Sequence, residues 1–324
     1  MSDGAMKYGS LAGVSQRVSR LVLGTMSFRT ERQDEADALL DRFAAAGGTM
    51  IDTAHVYGTS ELAIGDWLHR RGRGAMLVLS KGTTYDAGGA LNVNPEAIER
   101  ELSTSLERLG VETIDLYLLH RDDPTCPVGT LLEALHAHAA AGRVRAYGGS
   151  NWATVRLEEV NAYARAHGLR PFTASSPNLA LAVPNEPMWR DCVYVAGDAQ
   201  AHDWYRRTRF PLMAWSSQAS GFFTGRFSPA DTSNANVARV YYRQDNWERL
   251  RRARDLAARK GCTPAAVALA WVLHQPLEVF ALVGPRTLPE LEETLSALAV
   301  ELSPAETAWL NLSAPWTCRP AECR

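Results

Sequence analysis

Eight short apolar segments alternate with helical patterns along the chain of 324 residues. The segments are rich in Val, Ile and Leu and lack regular polar alternation, so they predict strands buried on both faces. They cover residues 20–24, 49–54, 76–80, 114–120, 144–149, 172–176, 211–216 and 279–284. The segments between them are long enough for parallel crossovers, and eight such units predict an α/β fold of the (β/α)8 TIM barrel type.

The starts of several helices support this interpretation. Three helices are predicted where an N-cap residue precedes a proline that suits the first turn, at Asn94-Pro95, Thr263-Pro264 and Ser303-Pro304. A doubly wound sheet is the competing fold, but it requires a G-x-G-x-x-G loop after the first strand. Residues 23–26 read Leu-Gly-Thr-Met instead. We therefore predict a single barrel domain over residues 1–324.

Three segments depart from the alternation. Residues 6–23 contain two strand-like pieces around Gly13, which predict an N-terminal β-hairpin that closes the bottom of the barrel. Residues 178–209 and 221–244 follow the sixth and seventh strands and are interpreted as long irregular loops. Long loops at the carboxyl end of a barrel commonly carry function.

Composition excludes several classes of function. The net charge of −2 argues against a large basic surface for nucleic acid or an anionic membrane. The chain has no apolar run of about 18 residues and no apolar signal segment at its start. No C-x-x-C pair suggests a disulfide framework or a zinc site among Cys126, Cys192, Cys262, Cys318 and Cys323. We expect a cytoplasmic protein that acts on a small molecule without a metal, and its oligomeric state stays open.

Four polar residues follow or end three consecutive predicted strands. Asp52 and Tyr57 belong to the second strand and the residues after it, Lys81 to the third and His120 to the fourth. Each alone has an ordinary structural explanation, such as a helix cap, a half-buried aromatic ring, a strand-end charge or a core histidine. Because the carboxyl ends of barrel strands converge on one pocket, we expect the four side chains to meet.

Such a group has a definite chemistry. The ammonium of Lys81 favours tyrosinate and is expected to lower the pKa of Tyr57 from about 10 toward neutrality. Asp52 would compensate the buried charge of Lys81. Tyr57 could then act as a general acid, while His120 orients a substrate oxygen by a hydrogen bond. Lys81 is also one of only three lysines among 34 basic residues.

The chain resembles the aldo-keto reductase superfamily over nearly its whole length. The matching segments, in family order, are VLGTMSF, MIDTAHVYGTSELAIGDWL, LVLSKG, SLERLGVETIDLYLLH, GRVRAYGGSNW and FFTGRF. The resemblance implies that Asp52, Tyr57, Lys81 and His120 form the catalytic tetrad of an NAD(P)H-dependent reductase of aldehydes or ketones. Hydride would pass from the nicotinamide C4 to the carbonyl carbon, and Tyr57 would protonate the oxygen.

The resemblance also implies a set of positions around the nicotinamide. Ser150 and Asn151 match the pair that holds the nicotinamide amide, and Trp215 stands where an aromatic ring stacks on the nicotinamide. The family glutamine in the sixth strand falls at Ala174, which leaves open whether Ser175 or Ser176 replaces its contact. The resemblance implies further cofactor-binding positions at Gly24, Thr25, Met26 and Asp52.

The rest of the cofactor would lie against two further segments. The loop that usually reads Ser-Pro-Leu-Gly is here Ser216, Ser217, Gln218 and Ala219, followed by Gly221, and it is expected to cover the pyrophosphate with backbone N–H groups and serine hydroxyls. After the eighth strand, Gly284, Arg286, Glu290 and Thr294 take the positions near the adenosine. Arg286 could bind a 2′-phosphate, which favours NADPH over NADH. Glu290 adds a negative charge there, and Thr294 is a poor partner for adenine.

The substrate side is less defined. His55 either faces the pocket or packs inside, and Trp152, Trp189 and Met26 are placed at the mouth. An aromatic pocket would suit a sugar ring, an aryl group or a flat biosynthetic keto intermediate. Beyond His120 itself, residues 121–123 are interpreted as a solvated loop.

Two other functions fit the same fold. One is a non-catalytic, nicotinamide-sensing regulatory subunit, which can retain the tetrad. The other is a lyase that uses Lys81 as a Schiff-base nucleophile. The second would leave Tyr57 and Asp52 without their roles in carbonyl reduction.

Overall fold

The computed structural model describes residues 4–313. Ten strands are present in this part of the chain: β1 Tyr8–Gly9, β2 Val18–Ser19, β3 Leu21–Gly24, β4 Met50–Asp52, β5 Leu77–Gly82, β6 Ile114–Leu119, β7 Val144–Ser150, β8 Ala174–Ser176, β9 Leu212–Ala214 and β10 Val279–Val283. Strands β3 to β10 pair in parallel with their neighbours in chain order, and β10 pairs with β3 to close the barrel. The predicted (β/α)8 barrel is therefore confirmed.

Helices surround this barrel. They are α1 Gln33–Ala45, α2 Ser60–Arg71, α3 Pro95–Leu109, α4 Val128–Ala140, α5 Thr154–Ala166, α6 Ala199–Thr208, α7 Ala235–Tyr241, α8 Gln244–Lys260, α9 Pro264–Leu273, α10 Leu288–Ser296 and α11 Pro304–Leu310. The three predicted N-caps accept backbone N–H bonds, and Ser303 forms a full capping box with Glu306. Among residues 4–313, no helix is long and apolar enough to cross a membrane.

The N-terminal hairpin closes the amino end of the barrel. Strands β1 and β2 pair antiparallel. Leu11 and Val14, between them, are buried in one cluster with Met50 and Leu77, which lie at the starts of β4 and β5. The carboxyl ends of the strands remain available for a site.

Two stretches interpreted as irregular loops contain helices. Helix α6 lies within residues 178–209 and begins where Asp198 accepts N–H bonds from Gln200 and Ala201. Helix α7 lies within residues 221–244 and begins at the N-cap Asn234. Both caps are sequence signals that the periodicity alone did not reveal. Even so, residues 177–197 and 225–234 remain without a long helix or strand, so the loops after β8 and β9 are substantial.

Candidate active site

Four polar side chains gather at the carboxyl ends of β4, β5 and β6. Lys81 Nζ contacts the Asp52 carboxylate, donates to Thr53 O at 3.1 Å and lies 5.3 Å from the centre of the Tyr57 ring. The rings of Tyr57 and His120 meet edge to face with their centres 5.9 Å apart. The four residues predicted to meet therefore do so.

Local backbone structure explains how Tyr57 reaches this group. After β4 the chain continues along β5, because Thr53 N donates to Leu79 O and His55 N donates to Lys81 O. A turn closed by Tyr57 N and Ala54 O then precedes Gly58, whose φ is +62°. The turn holds Tyr57 beside the strand ends before α2 begins.

The ion pair beneath Tyr57 is shielded from water. Lys81 and Asp52 are both buried. Burial disfavours the ammonium, but Asp52 and Tyr57 together outweigh this effect and raise the pKa of Lys81. Burial also raises the pKa of Asp52, while Lys81 opposes that shift. Lys81 therefore carries a permanent positive charge next to the tyrosine ring.

The expected pKa shift of Tyr57 is wrong in sign. Burial raises the pKa of Tyr57 above its ordinary value, and the attraction of Lys81 only partly offsets that effect. Desolvation disfavours tyrosinate more than one ammonium favours it, because the half-buried ring lies among side chains that exclude water. Tyr57 consequently keeps its proton through the neutral range and is available as a proton donor.

His120 is held neutral. Burial lowers the pKa of His120 well below its usual value, and the charges of Lys81 and Arg121 add to the effect. Its Nδ1 is buried without a hydrogen-bond partner among residues 4–313. A neutral imidazole beside Tyr57 can donate one hydrogen bond to an oxygen without carrying a positive charge.

Asn151 and Trp215 join the ends of β7 and β9. Asn151 Nδ2 donates to Ser150 Oγ at 3.1 Å and to His120 O at 3.3 Å, and its Oδ1 accepts from Trp215 Nε1 at 3.1 Å. The φ of Asn151 is +60°, a conformation that asparagine tolerates better than most residues. The predicted amide-binding pair and the predicted stacking ring thus lie in one hydrogen-bonded unit.

The serines considered as substitutes for glutamine already have partners. Ser175 Oγ bonds Tyr205 OH at 2.6 Å, and Ser176 Oγ donates to Met213 O at 2.7 Å. Asn178, in contrast, donates from Nδ2 to Trp215 O and leaves Oδ1 buried without a partner among the described residues. Such an unsatisfied acceptor would suit an amide N–H. No motif in the sequence identified Asn178.

The loop after Trp215 has an unusual backbone. Ser216, Ala219, Ser220 and Gly221 all have positive φ, although only one of them is glycine. Each non-glycine residue in this conformation costs about 1–2 kcal/mol, and such strain tends to occur at functional sites. The N–H groups of Ala219 and Gly221 donate to Ser216 O and Gln218 O, so those two amides are engaged inside the loop.

Three hydroxyls at predicted cofactor positions already have partners within the protein. Ser217 Oγ bonds the carbonyls of Ala214 and Leu282, so its proton is engaged within the protein. Thr25 Oγ1 bonds Asp52 O and Ser60. The buried Thr294 hydroxyl donates to Glu290 O and accepts from Gln218 Nε2. All three hydroxyls therefore have hydrogen-bond partners within the protein.

The residues after β10 lead into helix α10 and include the exposed Arg286. Gly284 and Arg286 are exposed, and the N-cap Thr287 opens α10. Glu290 accepts a 2.7 Å hydrogen bond from the backbone N–H of Arg286, so its carboxylate is occupied by the backbone. Within residues 4–313, the Arg286 guanidinium has no hydrogen-bond or ion-pair partner. It could hold a phosphate.

The residues predicted for the mouth divide into two groups. Trp189 is 46% exposed, its ring centre is 5.5 Å from that of Trp215, and Met26 after β3 is 51% exposed. Trp152 is only 1% exposed and packs against Phe172, so its placement at the mouth is wrong. It is directed inward because its Nε1 bonds Arg121 O and its ring packs in the outer core.

The structure also places His55 and residues 121–123. His55 is half-buried and its Nδ1 is sealed without a partner among the described residues. Arg121 and Asp122 are both buried, so the solvated loop expected there is wrong. Asp122 is held by a double hydrogen bond to Arg156, at 3.0 and 3.1 Å. No sequence pattern predicts this pairing, because its two residues are 34 positions apart.

One further residue at the mouth of the barrel was not predicted from the sequence. Tyr194 lies in the loop after β8 and places its ring centre 5.4 Å from Trp215. Together with Trp189 it forms an aromatic wall, defined by Trp189, Tyr194 and Trp215. The loop carries no motif, because its position depends on contacts such as the 3.2 Å bond from Val193 N to Asn151 Oδ1.

Comparisons with known proteins agree with this geometry. The family model described as the aldo/keto reductase family matches residues 20–311. The norsolorinic acid reductase stcV of Emericella nidulans is 32% identical, covering 91% of this chain and 78% of its own. The aldo-keto reductase yakc [NADP(+)] of Schizosaccharomyces pombe is 28% identical over 84% of this chain and 80% of its own. The uncharacterized oxidoreductase YrpG of Bacillus subtilis is 27% identical over 94% and 95%. With a barrel that gathers the four predicted residues and a model match over most of its length, this chain belongs to the aldo/keto reductase family.

Proposed function

We propose that this protein reduces an aldehyde or ketone to an alcohol with NADPH, and that Tyr57 is the general acid. The observation that carries the proposal is the buried Lys81–Asp52 pair directly beneath a protonated Tyr57, with neutral His120 against the same ring. When bound, the reduced nicotinamide supplies a hydride to the carbonyl carbon.

The chain's own groups account for the proton. Tyr57 gives its phenolic proton to the carbonyl oxygen, and the tyrosinate that forms is stabilised by the adjacent Lys81 ammonium. With Nδ1 of His120 sealed, Nε2 is the ring nitrogen left to donate to the same oxygen. Two donors on one oxygen stabilise the negative charge that develops there.

The cofactor assignment rests on side chains that fit its parts. Trp215 offers a half-exposed ring for the nicotinamide, and the unpaired acceptor Asn178 Oδ1 suits its amide. Arg286, exposed and unpartnered within residues 4–313, suits a 2′-phosphate and so favours NADPH over NADH. One relative also carries NADP(+) in its name.

The charge of Lys81 argues against a Schiff-base lyase. A lysine nucleophile must lose its proton, and lysines with that role have a depressed pKa. Here Asp52 and Tyr57 together outweigh burial and raise the pKa of Lys81. The raised pKa suits a permanent cation that stabilises tyrosinate.

A direct test begins with cofactor binding. Intrinsic tryptophan fluorescence of the full chain is titrated with NADPH and, separately, with NADH, and a Trp215→Phe variant identifies the reporting ring. Tight quenching by NADPH, weaker quenching by NADH and NADPH oxidation in a panel of carbonyl compounds would support the proposal. Quenching without turnover of any carbonyl would favour the nicotinamide-sensing subunit instead. No response to either cofactor would refute both.

A further inference from the structure

A buried arginine beside the tetrad lacks an acidic partner. Arg121 is 8% exposed and directly follows His120. No carboxylate among residues 4–313 lies within ion-pair distance of its guanidinium. Its Nη1 donates to His120 O at 2.9 Å, and its Nε is buried without a hydrogen-bond partner. A buried cation in this condition is costly unless some other group completes it.

The nearby acids are already engaged. Asp122 is bound by Arg156. Asp191 accepts a 2.8 Å hydrogen bond from Tyr85 OH and pairs with Arg190 at 3.1 Å. The protein itself therefore supplies other cations to these carboxylates and leaves Arg121 unmatched.

Arg121 also lies close to the reacting groups. Its Cζ is 5.9 Å from the centre of the Tyr85 ring, in the loop after β5. Burial dominates the pKa shifts of Tyr57 and His120, but the charge of Arg121 contributes to lowering both pKa values. The Tyr85 hydroxyl in turn donates to Arg190 O at 3.1 Å, directly after Trp189 of the aromatic wall. Arg121 therefore lies next to His120 of the tetrad and, through Tyr85, near the loop that carries Trp189 of the aromatic wall.

We propose that Arg121 is a specificity-determining residue that binds an anionic oxygen group, a carboxylate or an ionised phenol, carried by an aromatic aldehyde or ketone. This assignment rests on the proposed function, because the same pocket must present the carbonyl to Tyr57. The aromatic wall would hold the substrate ring, and the guanidinium would complete its hydrogen bonding with the anion.

The test compares matched charged and neutral substrates. The ortho, meta and para isomers of carboxybenzaldehyde are each measured against the methyl ester with NADPH, and hydroxybenzaldehydes are measured against methoxybenzaldehydes. We expect kcat/KM to favour at least one anionic compound over its neutral counterpart by about 10- to 100-fold, the range of a hydrogen bond to a charged group. The carboxylate and phenol series distinguish the two sources of the anion.

Two variants separate recognition from structure. Arg121→Met should bring the ratio of kcat/KM for the anionic compound to that for its ester down to about one, while Arg121→Lys should retain part of the preference. Arg190→Met removes a neighbouring charge that Asp191 already neutralises, so it should keep the wild-type ratio. Circular dichroism and thermal unfolding verify that each variant folds.

The substrate and binding measurements can each support or refute the role of Arg121. Equal loss on charged and neutral substrates in Arg121→Met, or no preference in the wild type, would overturn the assignment. If the wild type reduces no aldehyde at all, the proposed function fails separately. Binding of the same compounds to NADP+-loaded protein, followed by tryptophan fluorescence, then still tests Arg121. A preference for anions that Arg121→Met loses supports its role, and equal binding of anions and esters refutes it.

Discussion

The indole Nε1 of Trp215 donates a 3.1 Å hydrogen bond to Oδ1 of Asn151 and thereby connects the end of β9 to the end of β7. The same oxygen accepts from Val193 N, and the amide nitrogen of Asn151 reaches His120 O. One side chain therefore fixes the stacking ring, the loop after β8 and the backbone of a tetrad residue.

Asn151→Ala should loosen all three at once. It removes these hydrogen bonds and puts alanine at a φ of +60°, so we expect a loss of about 2–4 kcal/mol in the free energy of unfolding. NADPH affinity should fall by at least about tenfold, because Trp215 and Ser150 lose their common partner. Urea unfolding and fluorescence titration measure the two effects.

Asn161→Ala is the matched control for that variant. Asn161 Oδ1 accepts a 2.8 Å bond from Phe172 N, away from the strand ends that carry the site. It should lower stability without changing NADPH affinity. The same loss of affinity in both variants would contradict the role given to Asn151.

Tyr57→Phe should abolish carbonyl reduction and leave NADPH affinity nearly unchanged. Loss of a general acid typically lowers kcat by about 10²–10⁴-fold. Tyr163→Phe, on the outer helix α5, should leave kcat unaltered. Turnover of Tyr57→Phe close to that of the wild type would exclude Tyr57 as the acid.

The pH profile gives a second test of Tyr57. Because burial raises the pKa of Tyr57, the proton donor stays protonated throughout the neutral range. Reduction at saturating NADPH should therefore show no loss assignable to tyrosine ionisation below about pH 10. A decline centred near neutrality that Tyr57→Phe removes would show that the bound enzyme depresses this pKa.

Arg286→Ala should weaken binding of NADPH and barely affect binding of NADH. A charge-assisted contact to one phosphate predicts a loss of about 10- to 100-fold for NADPH alone. The exposed Arg206 on α6 pairs with Asp203, and Arg206→Ala serves as the control. Equal weakening of both cofactors would place Arg286 away from the 2′-phosphate.

His120 should make the folded state sensitive to acid. Its pKa is depressed in the folded protein, so below about pH 6.5 the unfolded chain binds a proton that the folded chain does not. Stability therefore rises with pH through that window, and His120 contributes at most about 1.4 kcal/mol per pH unit. His120→Gln should reduce the slope of unfolding free energy between about pH 5 and pH 6.5.

His138 provides the comparison for this measurement. Burial lowers its pKa as well, but it lies on α4 outside the site. His138→Gln should also reduce the slope, whereas only His120→Gln should alter carbonyl reduction. An unchanged slope in His120→Gln would show that His120 titrates alike in the folded and unfolded states.

The sequence by itself determined the barrel and the meeting of its four polar residues. Buried parallel strands leave a continuous apolar signature, and their carboxyl ends lie at one face whatever the loops do. The positions of Asp52, Lys81 and His120 at the ends of β4, β5 and β6 are therefore local information. The aldo-keto reductase motifs can be recognised in the sequence for the same reason.

Only the tertiary structure decided burial, and burial reversed several expectations. Trp152 packs inward, Arg121 is enclosed without an acid, and the pKa of Tyr57 rises although Lys81 lies beside its ring. Each outcome depends on groups far away along the chain, such as Arg156 for Asp122. Desolvation sums the whole surroundings of a group, whereas a sequence motif specifies only its nearest neighbours along the chain.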